Sequence, residues 1–136
     1  MNGINITFQI YQIVNDSNFV FMNSDYWKRN GKNVRLDEYK EVYSGEIEID
    51  DIVATGDTLE KIYTIFNFDK PEDYRARSLS VSDIVVLHPV PGIRETYFVD
   101  SIGYKKLSAL ADSVYEFATT VLCKRSQATF LYEGVE

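Results

Sequence analysis

Apolar and polar residues alternate from the start of the chain, with Ile4, Ile6, Phe8 and Ile10 separated by Asn5, Thr7 and Gln9. This period of two predicts a strand near 6–13 with one face turned to a core. Tyr11, Ile13 and Val14 blur the alternation, as expected where a strand is buried on both faces near its end. Asn15, Asp16, Ser17 and Asn18 read as a turn, because Asn and Asp side chains bond their own backbone, and Phe19 to Met22 reads as a short strand. Ser24 is placed to cap a short helix running to Arg29, with Asn30 and Gly31 as its left-handed exit. Lys28 and Arg29 sit at the negative end of that helix dipole.

Tyr39 to Ile49 is the next strand, and its end alternates cleanly: Ile47 and Ile49 on one face, Glu46, Glu48 and Asp50 on the other. Asp57 to Glu60 resembles a capping box and precedes Leu59, Ile62, Tyr63 and Phe66 at helical spacing, which predicts a helix near 57–66. The unbroken run Ile84 to Leu87 predicts a strand buried on both faces. His88-Pro89-Val90-Pro91-Gly92 is a turn, and Thr96 to Val99 returns as the hairpin partner. Leu107, Leu110, Ala111, Val114, Phe117, Ala118, Val121 and Leu122 recur at three and four, which predicts a long amphipathic helix over 106–125. Phe130 and Tyr132 form a candidate extra strand in the tail. The expected fold class is therefore α+β: a single domain over 1–136, with a small antiparallel sheet packed by two or three helices, the longest of them C-terminal.

Composition narrows the class further. A chain of 136 residues, 45% apolar and 26% charged, is long enough for one self-sufficient core. No run is long and apolar enough to span a bilayer, and the first residues lack a basic, apolar leader, so a cytoplasmic protein is expected. One cysteine, Cys123, and one histidine, His88, leave no internal disulfide and almost nothing for a zinc site; no metal or cofactor is expected. Charge is unevenly spread. Asp37 to Glu60 holds nine acids and one base, a net −8 within a chain of net −7. Lys28, Arg29, Lys32 and Arg35 form a small basic group beside Tyr26 and Trp27.

These features offer few routes to catalysis. Ser78 to Asp83 supplies hydroxyls and a carboxylate but no glycine-framed nucleophile, so a turn bonding its own backbone is expected there. His88 would need Asp83 or Asp100 as a polarising partner, and a plain turn histidine is the simpler reading. Cys123, on the apolar side of the expected last helix, reads as a small core residue. Glu46, Glu48 and Asp50, in a row on one strand face with Asp51, Asp57, Glu60 and Glu41 nearby, form the strongest functional feature. Same-face strand residues repeat at about 6.6–6.8 Å and phosphates along one DNA strand at about 3.4 Å, so the row imitates a nucleic acid only coarsely. It can still neutralise Lys and Arg clusters on a partner, or simply remain a solvated face that guards an edge. The basic group is the opposing candidate, since cations interleaved with aromatics grip phosphates and stack bases.

An ordered series of motifs adds a family to this reading. Val42-Tyr43-Ser44-Gly45, Thr58 to Tyr63 with Phe66-Asn67, and Pro71-Glu72-Asp73-Tyr74 come first. Ser78 to Leu87 and Tyr97 to Tyr104 follow, with Phe8 to Gln12 and Tyr26 at the start. Together they resemble the YodL-like domain, a family of small proteins of Firmicutes and their mobile elements. The resemblance spans 1–104, and 105–136 then reads as a helix and tail added to it. It implies no catalytic residues and favours an accessory or anti-defence role. The expectation is a non-enzymatic, anti-CRISPR-like inhibitor that presents Glu46, Glu48, Asp50, Asp51, Asp57 and Glu60 to a CRISPR effector or another nuclease with a basic channel, with Tyr43 and Tyr63 as candidate aromatic anchors. The alternatives are a nucleic-acid-binding module using Lys28, Arg29, Lys32 and Arg35, and an interaction domain acting on a cytoskeletal or other cellular partner.

Overall fold

The alternating N-terminal run forms β1 (Gly3–Ile13), and its even positions Ile6, Phe8 and Ile10 are buried. The computed structural model describes residues 3–14, 18–50 and 55–123. After β1 come α1 (Ser24–Arg29), β2 (Val34–Arg35), a 3₁₀ turn at Leu36–Glu38, β3 (Tyr39–Asp50) and α2 (Thr55–Phe68). Then follow β4 (Ile84–His88), β5 (Glu95–Val99), β6 (Tyr104–Ala111) and β7 (Val114–Val121). The seven described strands form one sheet in the order β2-β7-β6-β5-β4-β1-β3, each pair antiparallel. No helix among the described residues is long and apolar enough to cross a membrane.

β4 is buried on both faces, and the two faces serve two cores. Val85 and Leu87 pack with Ile6, Phe8, Ile10 and Ile47 beneath Leu59, Ile62 and Phe66 of α2. Ile84 and Val86 pack on the other side with Phe98, Leu107, Val34, Tyr39 and Trp27 of α1. One inserted residue lets β3 serve both. Ile10 pairs with Tyr43 and Tyr11 with Glu41, so Val42 is left over in β3 and the strand changes parity there. Tyr43 and Ile47 therefore reach the α2 side, and Tyr39 reaches the α1 side.

The sequence expectation of an α+β domain with a long C-terminal helix is overturned. Among the described residues the chain is a mostly antiparallel β fold with two short helices, and 104–121 is the β6–β7 hairpin. Asp112 and Ser113 turn the chain, Ser113 adopting φ 62°. The helical spacing misled for a definite reason. Lys105 pairs with Thr120 but Leu107 with Phe117, so β7 carries an extra residue between them. Phe117 faces the Trp27 core while Val121, four residues on, faces the α2 core. Leu110, Ala111 and Ala118 are exposed and never formed a buried stripe.

Three smaller expectations shift. Phe19 to Met22 is a turn closed by the Met22 N–H on the Phe19 carbonyl at 3.1 Å. Asn23, not Ser24, caps α1, its side chain accepting from the Tyr26 N–H. Asp57 lies in the first turn of α2 rather than at its cap. The predicted strand at Phe130 and Tyr132 falls outside the described residues.

Gly56 fixes how closely α2 meets the end of β7, because a Cβ there would collide with the Leu122 carbonyl. Gly56→Ala gains helix propensity of about 1 kcal/mol but forces two backbones apart. A net loss of roughly 1–3 kcal/mol is expected in urea unfolding, and equal or greater stability in the variant would show that the contact yields.

Candidate functional site

The turn expected at Ser78 to Asp83 is present and turns out to anchor the fold. Asp83 has no exposed surface. Its Oδ1 accepts from Arg77 Nη2 at 2.8 Å, and its Oδ2 from Arg77 Nη1 at 3.0 Å, the Ser80 N–H at 2.8 Å and Gln12 Nε2 at 3.1 Å. Tyr74 donates to the Arg77 carbonyl at 2.6 Å, and Tyr39 to the Ser82 carbonyl at 2.6 Å. Ser82, at φ 83°, accepts from the Phe21 N–H on its Oγ. Ser80 Oγ donates to the Ser78 carbonyl at 2.9 Å, so Ser80, Ser82 and Asp83 each bond backbone in this turn. Burial pushes the Asp83 carboxyl up to about 6 against the opposing pull of Arg77 and its other donors. Burial, then the Asp83 charge, also pushes the Tyr74 phenol up to about 12.

The other catalytic candidates are dispersed. His88 stands at the far end of β4 from Asp83, its Nε2 3.0 Å from Gln9 Oε1. Asp100 accepts from the N–H and the Oγ of Ser24, tying α1 to the end of β5. Neither aspartate faces the imidazole. Cys123 is buried in a chain segment rather than a helix, with its Sγ 3.6 Å from Glu60 Oε1. Among the described residues, no group of three His, Cys, Asp or Glu is placed to hold a metal.

The basic group is largely neutralised in place. Arg29 pairs with Asp25 at 3.0 Å, Lys32 with Glu38 at 2.6 Å and Arg35 with Asp37 at 3.0 Å; Lys28 is exposed. Trp27 is buried and donates its Nε1–H to the Phe19 carbonyl, while Tyr26 stacks edge-on against Phe19. Neither ring is presented as a platform for bases.

The acidic row is a different matter. Among the described residues β3 is an edge strand, and Glu46, Glu48 and Asp50 are exposed on it. Register places them opposite Thr7, Asn5 and Gly3 of β1. The same sheet face carries Gln9, Tyr11, Glu41 and His88, joined by the Gln9 amide donating to Glu41 Oε1 at 2.8 Å. Burial, then the Glu41 charge, raises the Tyr11 phenol. α1 covers the half of this face over β4 to β7, and the half over β3 and β1 is polar. Asp57 joins Glu48 and Asp50 around a cleft of about 320 Å³, where Lys61 Nζ bonds the Glu48 carbonyl at 2.7 Å.

Other predicted members separate from this surface. Glu60 accepts from the buried Tyr104 hydroxyl at 2.8 Å. Tyr43 packs its ring against Phe8, Phe66 and Tyr74 and donates to Asp73, so it shoulders the α2 core, as does Tyr63. Asp51 lies outside the described residues. Nothing in the sequence marks the polar row Asn5, Thr7 and Gln9 as part of a site, because only strand register sets it beside the acids.

Residues 7–109 match the sequence model of the YodL-like domain, a span that begins within β1 and ends within β6. No curated protein and no solved structure matches the chain.

Asp83 gives this architecture a pH signature. Its carboxyl, ordinarily near 3.8, is raised to about 6, so the folded state holds the proton more tightly than the unfolded chain. Its contribution to stability is therefore complete below about pH 4 and lost as pH rises through about 6, by roughly 2–3 kcal/mol. Relative to Asp83→Asn, the native chain should gain that increment in urea melts between neutral pH and about pH 4.5. A constant difference between the two proteins across that range would refute it.

Proposed function

Since the chain belongs to the YodL-like domain family, we propose that it is a non-enzymatic accessory protein that binds a basic protein partner through the exposed face of β3. The observation that carries this reading is the pairing of two facts: Glu46, Glu48 and Asp50 stand exposed in register along an edge strand, while Arg29, Lys32 and Arg35 of the basic group are each paired with an acid of this chain. A surface of one sign steers encounter with its opposite and excludes phosphate backbones. The partner we infer is a defence nuclease of the CRISPR-effector kind, which holds nucleic acid in a positively charged channel that such a row can occupy stoichiometrically. Asp57 extends the charge to the start of α2.

Capture of partners from a host that carries its defence systems, followed by mass spectrometry, should recover a nucleic-acid-handling protein that competing DNA releases. Reversing Glu46, Glu48 and Asp50 to lysine changes only exposed side chains and should leave the fold intact while abolishing capture. Undiminished capture by the folded triple variant removes this surface from consideration. Neutralising Lys28, Arg29, Lys32 and Arg35 tests the opposing module. The native protein should give no salt-sensitive DNA mobility shift, and a shift lost in the neutralised variant would replace the present reading.

A further inference from the structure

The hydrogen bonds across β3, β1 and β4 determine where the His88 proton sits. Glu41, when ionised, can only accept, so the Gln9 amide nitrogen must point to it, as its 2.8 Å bond requires. The Gln9 carbonyl oxygen then faces His88 Nε2 at 3.0 Å, and that nitrogen must donate. In the neutral ring Nδ1 is left as an acceptor, and it has no hydrogen-bond partner among the described residues.

The imidazole lines a cleft of about 400 Å³ together with Asn5, Thr7 and the Pro89-Val90-Pro91 turn. Asn5 and Thr7 bring an amide oxygen and a hydroxyl, and their cross-strand neighbours are Glu48 and Glu46. Side chains so paired stand about 5 Å apart at Cβ, which sets two acidic residues on β3 beside the cleft, although neither lines it and the Glu48 carboxylate lies over Gly3. Arg94, a cation near the base of the same hairpin, acts on the Tyr11 phenol and does not line the cleft. An anion is repelled here, and a lone ammonium leaves dispersed acceptors unused. A guanidinium brings five donors in a plane and no acceptor, and its aliphatic stem can lie along proline and the half-exposed Val90.

We propose that this cleft receives an arginine side chain of the protein partner, with His88 Nδ1 as an acceptor whose tautomer Glu41 sets through Gln9. The proposal rests on the open sheet face being the partner-binding surface and names the residue that the face reads.

The test is nitrogen-resolved NMR of the His88 ring in the full chain at about pH 8, above the usual imidazole range, with N-acetylarginine amide as probe. The native ring should show the Nε2–H tautomer, and the Nδ1 signal should move saturably with the arginine probe and stay still with its neutral citrulline counterpart. Glu41→Gln lets the Gln9 amide turn over, so a mixture of tautomers is expected. His88→Ala should weaken the probe by about fivefold, as one lost hydrogen bond of about 1 kcal/mol does. An Nδ1–H tautomer in the native protein, or an Nδ1 signal blind to arginine, overturns the proposal. Partner capture separates the two readings. Capture lost in the Glu46, Glu48 and Asp50 reversal but untouched in His88→Ala retires the cleft alone, and capture surviving both retires the surface as well.

Discussion

A carboxylate with no surface of its own must be surrounded by donors, and Asp83 imposes that requirement at the point where the long connection from α2 enters the sheet. Arg77 from the connection, the Ser80 N–H from the turn and Gln12 from β1 meet it there. The Asp83 backbone is equally committed, since its carbonyl accepts from the Val99 N–H and its own N–H bonds the Ser80 carbonyl. Tyr39 closes the far side through the Ser82 carbonyl, which brings β3 to the same point. The connection, β1, β3 and β5 are thereby registered at one turn, Ser82-Asp83, and the α2 core and the Trp27 core assemble on either side of it.

The second constraint is parity. A strand can present only alternate residues to one side, so a sheet with cores on both faces needs some way to change which residues go where. The extra residue at Val42 does this for β3 and the one beyond Phe117 does it for β7. The outcome for the surface is specific. Below Val42, β3 sends Tyr39 into the Trp27 core; above it, the same side of the sheet receives Glu46, Glu48 and Asp50 beside Asn5 and Thr7. The open polar half of the sheet is thus a product of where α1 stops covering it and where β3 changes phase.

How much of this was legible follows from the same physics. β1, the end of β3, α2, β4 and β5 announced themselves because each is a regular run with no inserted residue disturbing its period. The β6–β7 hairpin was read as a helix because exposed Leu110 and Ala118 imitate a stripe and the insertion in β7 breaks its alternation. The neutralisation of the basic group was within reach. Asp25 stands four before Arg29 and Asp37 two after Arg35, close enough in sequence to expect pairing. The Asp83 donors were not, since Gln12 lies 71 residues away, and nothing local marks a glutamine in a strand as the partner of a buried acid. The acidic row was visible, but its neighbours on β1 were not, because register is a property of the pair and not of either strand.

The chain's one tryptophan sits wholly in the layer beneath α1, where it meets Phe98 and Phe117 edge-on and bonds the Phe19 carbonyl. Its fluorescence therefore reports on that side of the sheet alone. Loosening of α2 from the opposite face would pass almost unseen in emission while changing circular dichroism, so a mismatch between the two signals during unfolding would tell which side of the sheet gives way first.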